Sequence, residues 1–368
     1  MPNPRPVAPI PVLRPRLPGA EALLPWLRLI DQSRIYSNFG PLSEAFAHGV
    51  ADHLGIAPGG VLPLANATLG LTAGVMAVGA ERGSLCAIPA FTFAATAHAV
   101  LAAGLEPWLL DVEEGSWQLT PREVEQALAA APGPVGAVMP VCPFGQPVDW
   151  QAWTAFRHRS GIPVVIDAAA GFDGLRASPL PTVVSLHATK ALGIGEGAVM
   201  VCTDHDLLDE VKRRINFGFQ GSRVAGVIAT NAKMSEVHAA IGLAALAAWP
   251  VTRADFVRVQ TGLRHRLEAG GLVCPAGIGE DWVSSTFCLR LPADAAATGG
   301  ALACLGIETR RWWGDGLHRH PAFGHCPRTQ LPATEALGTA VLGLPCFVDL
   351  DEAALDAIAS RTLAALRG

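Results

Sequence analysis

Short apolar runs alternate with helical segments between residues 61 and 214, and this alternation restricts the possible folds more than any other feature. Strands that alternate with helices indicate an α/β fold, in which helices cover both faces of a mostly parallel sheet and make three layers. No G-x-G-x-x-G follows a predicted strand, which argues against a dinucleotide enzyme. The predicted strands are residues 61–64, 85–89, 107–111, 135–140, 163–167, 182–186 and 198–202.

The pattern changes after Pro250, which predicts two domains. Residues 1–250 would form the large domain, with a proline-rich extended arm at residues 1–19. Residues 251–368 would form a smaller C-terminal α+β domain. Its predicted elements are a helix at 253–268, a strand at 282–291, a helix at 295–305, a strand at 306–309 and a helix at 351–366.

Composition excludes several classes of protein. Of the 368 residues, 50% are hydrophobic and 16% are charged, which excludes a disordered chain. The net charge is −5 and no basic block occurs, so nucleic-acid binding is not expected. We expect no membrane span, because the longest apolar helical stretch, residues 239–251, is shorter than the ~18 residues required. Eight scattered cysteines without a C-x-x-C pair, and no signal pattern, predict a cytoplasmic protein.

Lys190 is the first candidate for chemistry. It is one of only three lysines, and it lies between an apolar strand ending near Leu186 and the glycine-rich turn Gly193–Gly197. If burial lowers the pKa of this amine, the neutral form can attack an aldehyde and form a Schiff base. An exposed loop lysine is the alternative interpretation of the same pattern.

A carboxylate upstream favours the chemical interpretation. Asp167 is predicted at the C-terminal end of the apolar run 163–167, and small residues follow it. Pyridoxal phosphate uses this pair of groups, because a lysine holds its aldehyde carbon while a carboxylate pairs with the protonated pyridine nitrogen. In open α/β sheets such residues gather at the carboxyl ends of strands.

Four segments, in the same order along the chain, resemble those of the DegT/DnrJ/EryC1/StrS sugar aminotransferase family. Their succession is specific for the family and only loosely specific for the substrate. The segments are Tyr36–Pro41 (Y-x-N-x-G-P), Pro89–Ala97 (P-S-F-T-F-x-A-T-A), Ser185–Gly197 (S-[FL]-x-x-x-K-x-x-x-x-G-E-G) and Asn231–Gly242 (N-x-[RK]-M-[ST]-E-x-x-A-A-I-G).

The resemblance implies the PLP-transferase fold type I and a cofactor site. Lys190 and Asp167 would be catalytic, Phe93 would stack on the pyridine ring, and Ser185 would contact the phosphate. The phosphate would also meet the turn Asn66-Ala67-Thr68, where the family has Ser-Gly-Thr, so only the Thr68 contact transfers cleanly. Asn231 would reach the phosphate in the partner subunit of a homodimer. Simpler roles stay open: Asn66 or Thr68 as a helix N-cap, Asn231 as the cap of the next helix, and Phe93 in the core.

Candidate substrate residues are less specific. The resemblance places an Arg- and His-bearing segment near the substrate entrance, here residues 309–321, which is rich in groups suited to a charged, ring-bearing substrate. The candidates are Phe39, His187, Arg311, His318 and His320. A surface loop is the alternative for this segment, and a core histidine is the alternative for His187. Because the spacing of His318, His320, His325 and Cys326 fits no tetrahedral zinc pattern, we expect no metal.

The resemblance also implies a reaction. The amino group would pass from L-glutamate, through a Schiff base on Lys190, to a nucleotide-linked keto deoxysugar. Where the family has D-A-A-Q or D-A-A-H, this chain has Ala170, so one cofactor contact is missing and space is left. The alternatives are a non-nucleotide ketone such as a cyclitol, or a non-catalytic regulatory protein on the same fold.

Overall fold

The predicted apolar runs form the centre of the molecule in a computed structural model that describes residues 9–367. Strands and helices alternate as predicted, and the fold is α/β. The helices are α1 (Ala20–Ser33), α2 (Pro41–Leu54), α3 (Ala67–Ala77), α4 (Ala94–Ala103), α5 (Pro121–Leu128), α6 (Trp150–Ser160), α7 (His205–Arg214), α8 (Glu236–Ala269), α9 (Ala295–Cys304), α10 (Pro332–Ala340) and α11 (Glu352–Ala365). The strands are β1 (Val61–Leu64), β2 (Leu85–Pro89), β3 (Glu106–Leu110), β4 (Val135–Val138), β5 (Ile166–Asp167), β6 (Thr182–Ser185), β7 (Ala198–Val201), β8 (Phe287–Arg290) and β9 (Val341–Leu344).

The central sheet is mostly parallel. It consists of a four-stranded part with the strand order β1-β7-β6-β5 and a three-stranded part with the order β3-β2-β4. Parallel bridges such as Val138 to Val164 connect the two parts, between β4 and the residues that lead into β5. Only β7 runs against its neighbours β1 and β6. The carboxyl ends of β1, β2, β4, β5 and β6 therefore share one edge of the sheet, where the chain turns into helices or loops.

Helix α8 corrects the helix start that was predicted at residue 253. It runs unbroken for 34 residues, with Pro250 inside it. A proline inside a helix costs about 3 kcal/mol, and here packing against α1, α2 and α11 offsets that cost. The boundary between the domains at residue 250 stays a prediction, and it falls within one continuous helix.

The length of α8 also corrects the argument from the shorter stretch 239–251. By length and composition α8 is apolar enough to cross a membrane, but a single helix of this kind is weak evidence for a span. In this structure α8 packs against α1, α2 and α11. The absence of a membrane span and the cytoplasmic location stay predictions.

The C-terminal part differs from its prediction in two strands. The run predicted at 282–291 forms a strand only over β8, which pairs with β9. Residues 306–309 form no strand; the chain makes single bridges there, from Ile307 to Ile10 and from Arg310 to Gly343. Within residues 9–367 each of these bridges joins a single pair of residues, which is too short a pairing to form a strand.

The described part of the N-terminal arm, residues 9–19, lies along the C-terminal part without helix or strand. The Ile10 amide donates to the Gly306 carbonyl at 2.9 Å, and the Arg16 guanidinium pairs with Asp255 at 2.8 Å. Residues 1–8 of the predicted arm lie outside the described residues. Since Val12 is buried, this arm is anchored on the fold.

We predict that the hydrogen bonds between Glu236, at the start of α8, and the first turn of α2 stabilise the packing of these two helices. Its buried carboxylate accepts hydrogen bonds from the Leu42 and Ser43 amides at 2.8 and 2.9 Å. Glu236→Ala leaves two buried donors unpaired, so the free energy of unfolding in urea should fall by about 2 kcal/mol or more. The matched change Glu125→Ala removes only an exposed pair with Arg159 and should cost less than about 1 kcal/mol. Equal losses in the two variants would contradict this prediction.

Candidate active site

Residues from four strand ends line one cavity of about 650 Å³. Asp167 ends β5, Ser185 ends β6, and Lys190 lies in the turn beyond Ser185. Asn66, Ala67 and Thr68 follow β1 and begin α3, and Phe93 follows β2. The structure thus gathers these predicted cofactor residues at one place, as expected for side chains that follow parallel strands.

Asp167 is the buried acid of the cavity. Its side chain is almost fully buried, and burial raises the pKa of this carboxyl, because the ionised form loses its hydration. The Thr96 hydroxyl donates to Oδ2 at 2.8 Å and the Ala169 amide donates to Oδ1 at 3.2 Å. These bonds, and the nearby charge of Lys190, act in the opposite direction and favour the ionised carboxylate.

Lys190 faces the same cavity from the neighbouring strand end. Its amide donates to the His187 carbonyl at 2.8 Å, which fixes the turn that carries the side chain. Burial lowers the pKa of its ammonium, and the carboxylate of Asp167 partly opposes that shift. The lysine therefore gains access to the neutral amine that nucleophilic and proton-transfer chemistry require.

The start of α3 makes the polar end of the cavity. Asn66 is the N-cap of this helix, since its side chain accepts from the Leu69 amide at 2.9 Å, which confirms the simpler role for that residue. Thr68 lies in the first turn and lines the cavity. Free amides at a helix N-terminus attract anions, so the cap and a phosphate site are compatible.

Phe93 has an unusually exposed ring for a large aromatic. About 61% of its surface is accessible, and it lines the cavity. A core role is therefore wrong for this residue. An exposed aromatic face beside a buried carboxylate suits a flat ligand that lies between them.

His187 also lines the cavity, and a buried core role for it is wrong. Its side chain is 45% exposed, its Nδ1 bonds the Thr189 hydroxyl at 2.9 Å, and its Nε2 lies 3.6 Å from Glu196. Asn231 is itself exposed and lies outside the cavity lining, and its Oδ1 accepts from Lys233 at 2.7 Å. Ser235 caps α8, so the alternative role of Asn231 as that cap is also wrong.

Four predicted substrate residues do not line this cavity. Arg311 donates hydrogen bonds to Asp315 and to the Gly338 carbonyl, outside the cavity lining. Phe39 lies under the Lys212 ammonium at 5.0 Å. His318 is buried beside Glu335, where burial lowers its pKa, and the His320 ring lies against Phe323. Among residues 9–367, no group of three or more His, Cys, Asp or Glu side chains could hold a metal.

The sequence analysis missed several residues that the structure brings to the site. Thr96 orients Asp167, and Thr92, four residues earlier on the same segment, bonds Thr96 at 3.0 Å. Arg310, Trp312 and Trp313, from the same segment as the predicted Arg311, line the cavity in its place. No sequence pattern indicated which of the two adjacent arginines faces inward. Leu13, from the N-terminal arm, adds an apolar wall that no pattern indicated.

An aromatic cluster borders the position where the family has Gln or His. Phe144 stacks on Trp313 with ring centroids 4.0 Å apart, and Phe91 meets Trp313 edge-on at 5.0 Å. Ala170 lines the cavity beside them. The Phe144 backbone has a φ of 53°, which is unfavourable for a phenylalanine, so packing holds this ring in place.

The chain matches the model of the DegT/DnrJ/EryC1/StrS aminotransferase family over residues 20–362. It is 34% identical over 242 residues to dTDP-4-amino-4,6-dideoxy-D-glucose transaminase of Shigella dysenteriae, a match that covers 64% of each chain. It is 28% identical over 359 residues to UDP-N-acetyl-3-dehydro-alpha-D-glucosamine 3-aminotransferase of Acidithiobacillus ferrooxidans, covering 92% of each chain.

A solved structure shares the fold. The crystal structure of DesI in the presence of its TDP-sugar product superposes with a TM-score of 0.87 at 29% identity, covering 98% of this chain and 94% of that one. Structures of this group are pyridoxal-phosphate-dependent aminotransferases of fold type I, so the predicted fold and cofactor are confirmed.

We predict that Thr96→Val shifts the pH profile of activity. The Thr96 hydrogen bond lowers the pKa of Asp167, so its loss raises a pKa that burial has already raised. The carboxylate must be ionised to pair with a protonated ring nitrogen, so the acidic limb of the profile should move to higher pH.

The matched control is Thr72→Val, which removes a buried hydroxyl that bonds Thr68 and Ala99 carbonyls but not Asp167. Its acidic limb should coincide with that of the unmodified enzyme. A shift to lower pH in Thr96→Val, or the same shift in both variants, would disprove the role of Thr96.

Proposed function

Because the chain belongs to the DegT/DnrJ/EryC1/StrS aminotransferase family, we propose that it transfers an amino group from L-glutamate to a nucleotide-linked keto deoxysugar. It is a pyridoxal-phosphate-dependent aminotransferase of sugar-aminotransferase type. The observation that carries the proposal is that a buried carboxylate, Asp167, and a desolvated amine, Lys190, face one cavity from neighbouring strand ends.

The residues present fit this cofactor. Asp167 would pair with the ring nitrogen, Phe93 would cover one face of the ring, and Lys190 would hold the aldehyde carbon. Thr68, the amides that begin α3 and the Ser185 hydroxyl would hold the phosphate. The Ser185 hydroxyl accepts a hydrogen bond from the His187 amide at 3.3 Å and donates none within the described residues. Its proton is therefore available for a hydrogen bond to the phosphate.

The residues of the cavity would have separate roles in the reaction. Bound pyridoxal phosphate supplies an aldehyde and an electron-withdrawing ring that accepts the electron pair of the breaking Cα–H bond. Lys190 Nζ, whose pKa burial lowers, would in its neutral form take the proton from the donor Cα and deliver it to the carbon that had been the aldehyde carbon of the cofactor. Asp167, held by Thr96, keeps the opposite end of the ring protonated.

The nature of the acceptor rests on relatives and on the cavity. Two relatives act, by their names, on dTDP- and UDP-linked amino sugars. In this chain Ala170 leaves open the space that the family's Gln or His would fill, and the Phe144–Trp313 stack forms an apolar wall beside it. This wall suits the ring and deoxygenated carbons of a deoxysugar.

We further propose that two copies share their active sites. Asn231 lies outside its own cavity, on an exposed segment that follows a loop with exposed apolar side chains. Phe217, Val224 and Ile228 on that loop are 47%, 72% and 66% exposed. Exposed apolar groups of this size are typical of surfaces that a partner covers, and an adjacent Asn231 could then enter the cavity of the partner.

The cofactor role of Lys190 can be tested directly. Lys190→Ala should abolish the visible absorbance of the reconstituted protein and the cofactor mass that borohydride reduction fixes to residue 190. Lys212→Ala, a change at another of the three lysines, should retain both. An unchanged absorbance band in Lys190→Ala would refute the proposed function.

The shared site predicts complementation between inactive variants. Lys190→Ala and Asn231→Ala should each show little activity alone. When equal amounts are unfolded and refolded together, the mixed dimer should hold one intact site and recover about one quarter of the normal activity. No recovery, in a sample shown by light scattering to be dimeric, would mean that Asn231 serves its own subunit or none.

A further inference from the structure

A second, much smaller cavity adjoins the reaction cavity. Four residues line both of them, namely Leu13, Thr189, Lys190 and Ser285. Residues 13–16 of the N-terminal arm form part of the wall of the small cavity. Lys190 therefore borders two spaces, and only the larger one can hold the cofactor.

The volume of the small cavity decides what it can bind. It measures about 30 Å³, compared with about 650 Å³ for the reaction cavity. A water molecule requires at least about 10–15 Å³ of such space, together with two or more polar partners. The small cavity is therefore large enough for one or two water molecules and too small for a substrate.

A buried serine supplies the first polar partner. Ser285 is only 5% exposed and lines the small cavity, and its hydroxyl makes no hydrogen bond within residues 9–367. The hydroxyl of the neighbouring Ser284, by contrast, bonds the Thr286 hydroxyl at 3.2 Å. Because a buried hydroxyl without a partner costs free energy, a water that bonds Ser285 would stabilise the structure.

The amine of Lys190 supplies the second partner. Nζ makes no hydrogen bond to a protein group within the described residues, and Lys190 lines the small cavity beside Ser285. An amine nitrogen exchanges protons with a water that it contacts, and a serine hydroxyl both donates and accepts. One water can therefore bond both groups at the same time.

The wall formed by the arm leads from these buried groups to the surface. The side chains of Arg14 and Arg16 are 69% and 45% exposed, whereas Ser285 is buried. Arg16 pairs with Asp255 at 2.8 Å and with Asp349 at 3.5 Å, which holds the arm in place. The small cavity therefore gives Lys190 a connection to solvent that a ligand in the reaction cavity does not occupy.

We propose that an ordered water in the small cavity, bonded to Ser285 and Lys190, exchanges the protons of the Lys190 amine with solvent during amino transfer. This proposal rests on the proposed function, in which Lys190 takes a proton from the donor Cα. Ser285 is a positioning residue in this scheme, since it acts through the water.

The exchange conserves protons and charge. The neutral amine that takes the Cα proton becomes an ammonium with three N–H protons. The ammonium gives one of these protons to the water, and the water returns a proton that has come from solvent, so nothing is oxidised or reduced. Lys190 can then deliver a solvent proton in place of the one that it took from the donor.

The test follows the hydrogen of the donor Cα. Cofactor-loaded enzyme is mixed in ordinary water with L-glutamate deuterated at Cα and with 2-oxoglutarate labelled in its carbon skeleton. Mass spectrometry then measures the deuterium in the carbon-labelled glutamate that forms, and the unmodified enzyme should lose most of it to solvent. Because Ser285→Ala removes one hydrogen bond to the water, the ratio of retained to lost deuterium should rise about fivefold.

The matched control is Ser284→Ala, which removes the neighbouring buried hydroxyl that bonds Thr286 and lines neither cavity. Its ratio should equal that of the unmodified enzyme, and the cofactor absorbance should persist in both variants. A crystal structure supplies a readout that does not depend on activity. It should show a water within hydrogen-bond distance of the Ser285 hydroxyl, and Ser285→Ala should lack that water.

The possible results separate this inference from the proposed function. Complete retention of deuterium by the unmodified enzyme, an unchanged ratio in Ser285→Ala or the same rise in both variants would overturn the inference, as would a crystal structure without the water. If L-glutamate leaves the absorbance of the cofactor-loaded, unmodified enzyme unchanged, the proposed function fails instead.

Discussion

The buried carboxylate of Asp167 is the interaction on which the site depends. Taking an ionised carboxylate out of water costs several kcal/mol, and this chain offsets part of that cost with the Thr96 hydroxyl, the Ala169 amide and the amine of Lys190. Part of the desolvation cost of the carboxylate is not offset by these groups. Pairing with a positively charged ring nitrogen would therefore stabilise the buried carboxylate strongly.

The sheet explains why these groups meet. A side chain that follows a parallel strand always lies at the same edge, so Asp167, Ser185, Asn66 and Phe93 meet without being neighbours in sequence. The reversal of β7 supports this, because it brings Gly197 back to that edge and closes the turn that carries Lys190. Catalysis is thereby placed where the backbone is most constrained and where loops are free to differ.

Much of the fold and of the site could be predicted from the sequence, and each wrong prediction has a physical cause. Periodicity located the strands, and the pairing of a lone lysine with a strand-end acid located the cofactor. The helix start predicted at residue 253 was wrong because tertiary packing along α8 overrides the local effect of Pro250. Arg311 was chosen over Arg310 because a sequence shows that two arginines are adjacent but not which one faces inward. Thr96 and Leu13 act only through contacts far along the chain, which no local pattern encodes.

The N-terminal arm has a practical consequence. Leu13 lines the reaction cavity, while Ile10 and Arg16 bind the arm to Gly306 and Asp255 on either side of Leu13 in the sequence. Protein engineers usually regard residues ahead of the first helix as dispensable and trim them or fuse affinity tags there. Here a cut at Ala20 would open the catalytic chamber to solvent, so purification handles belong at the opposite terminus.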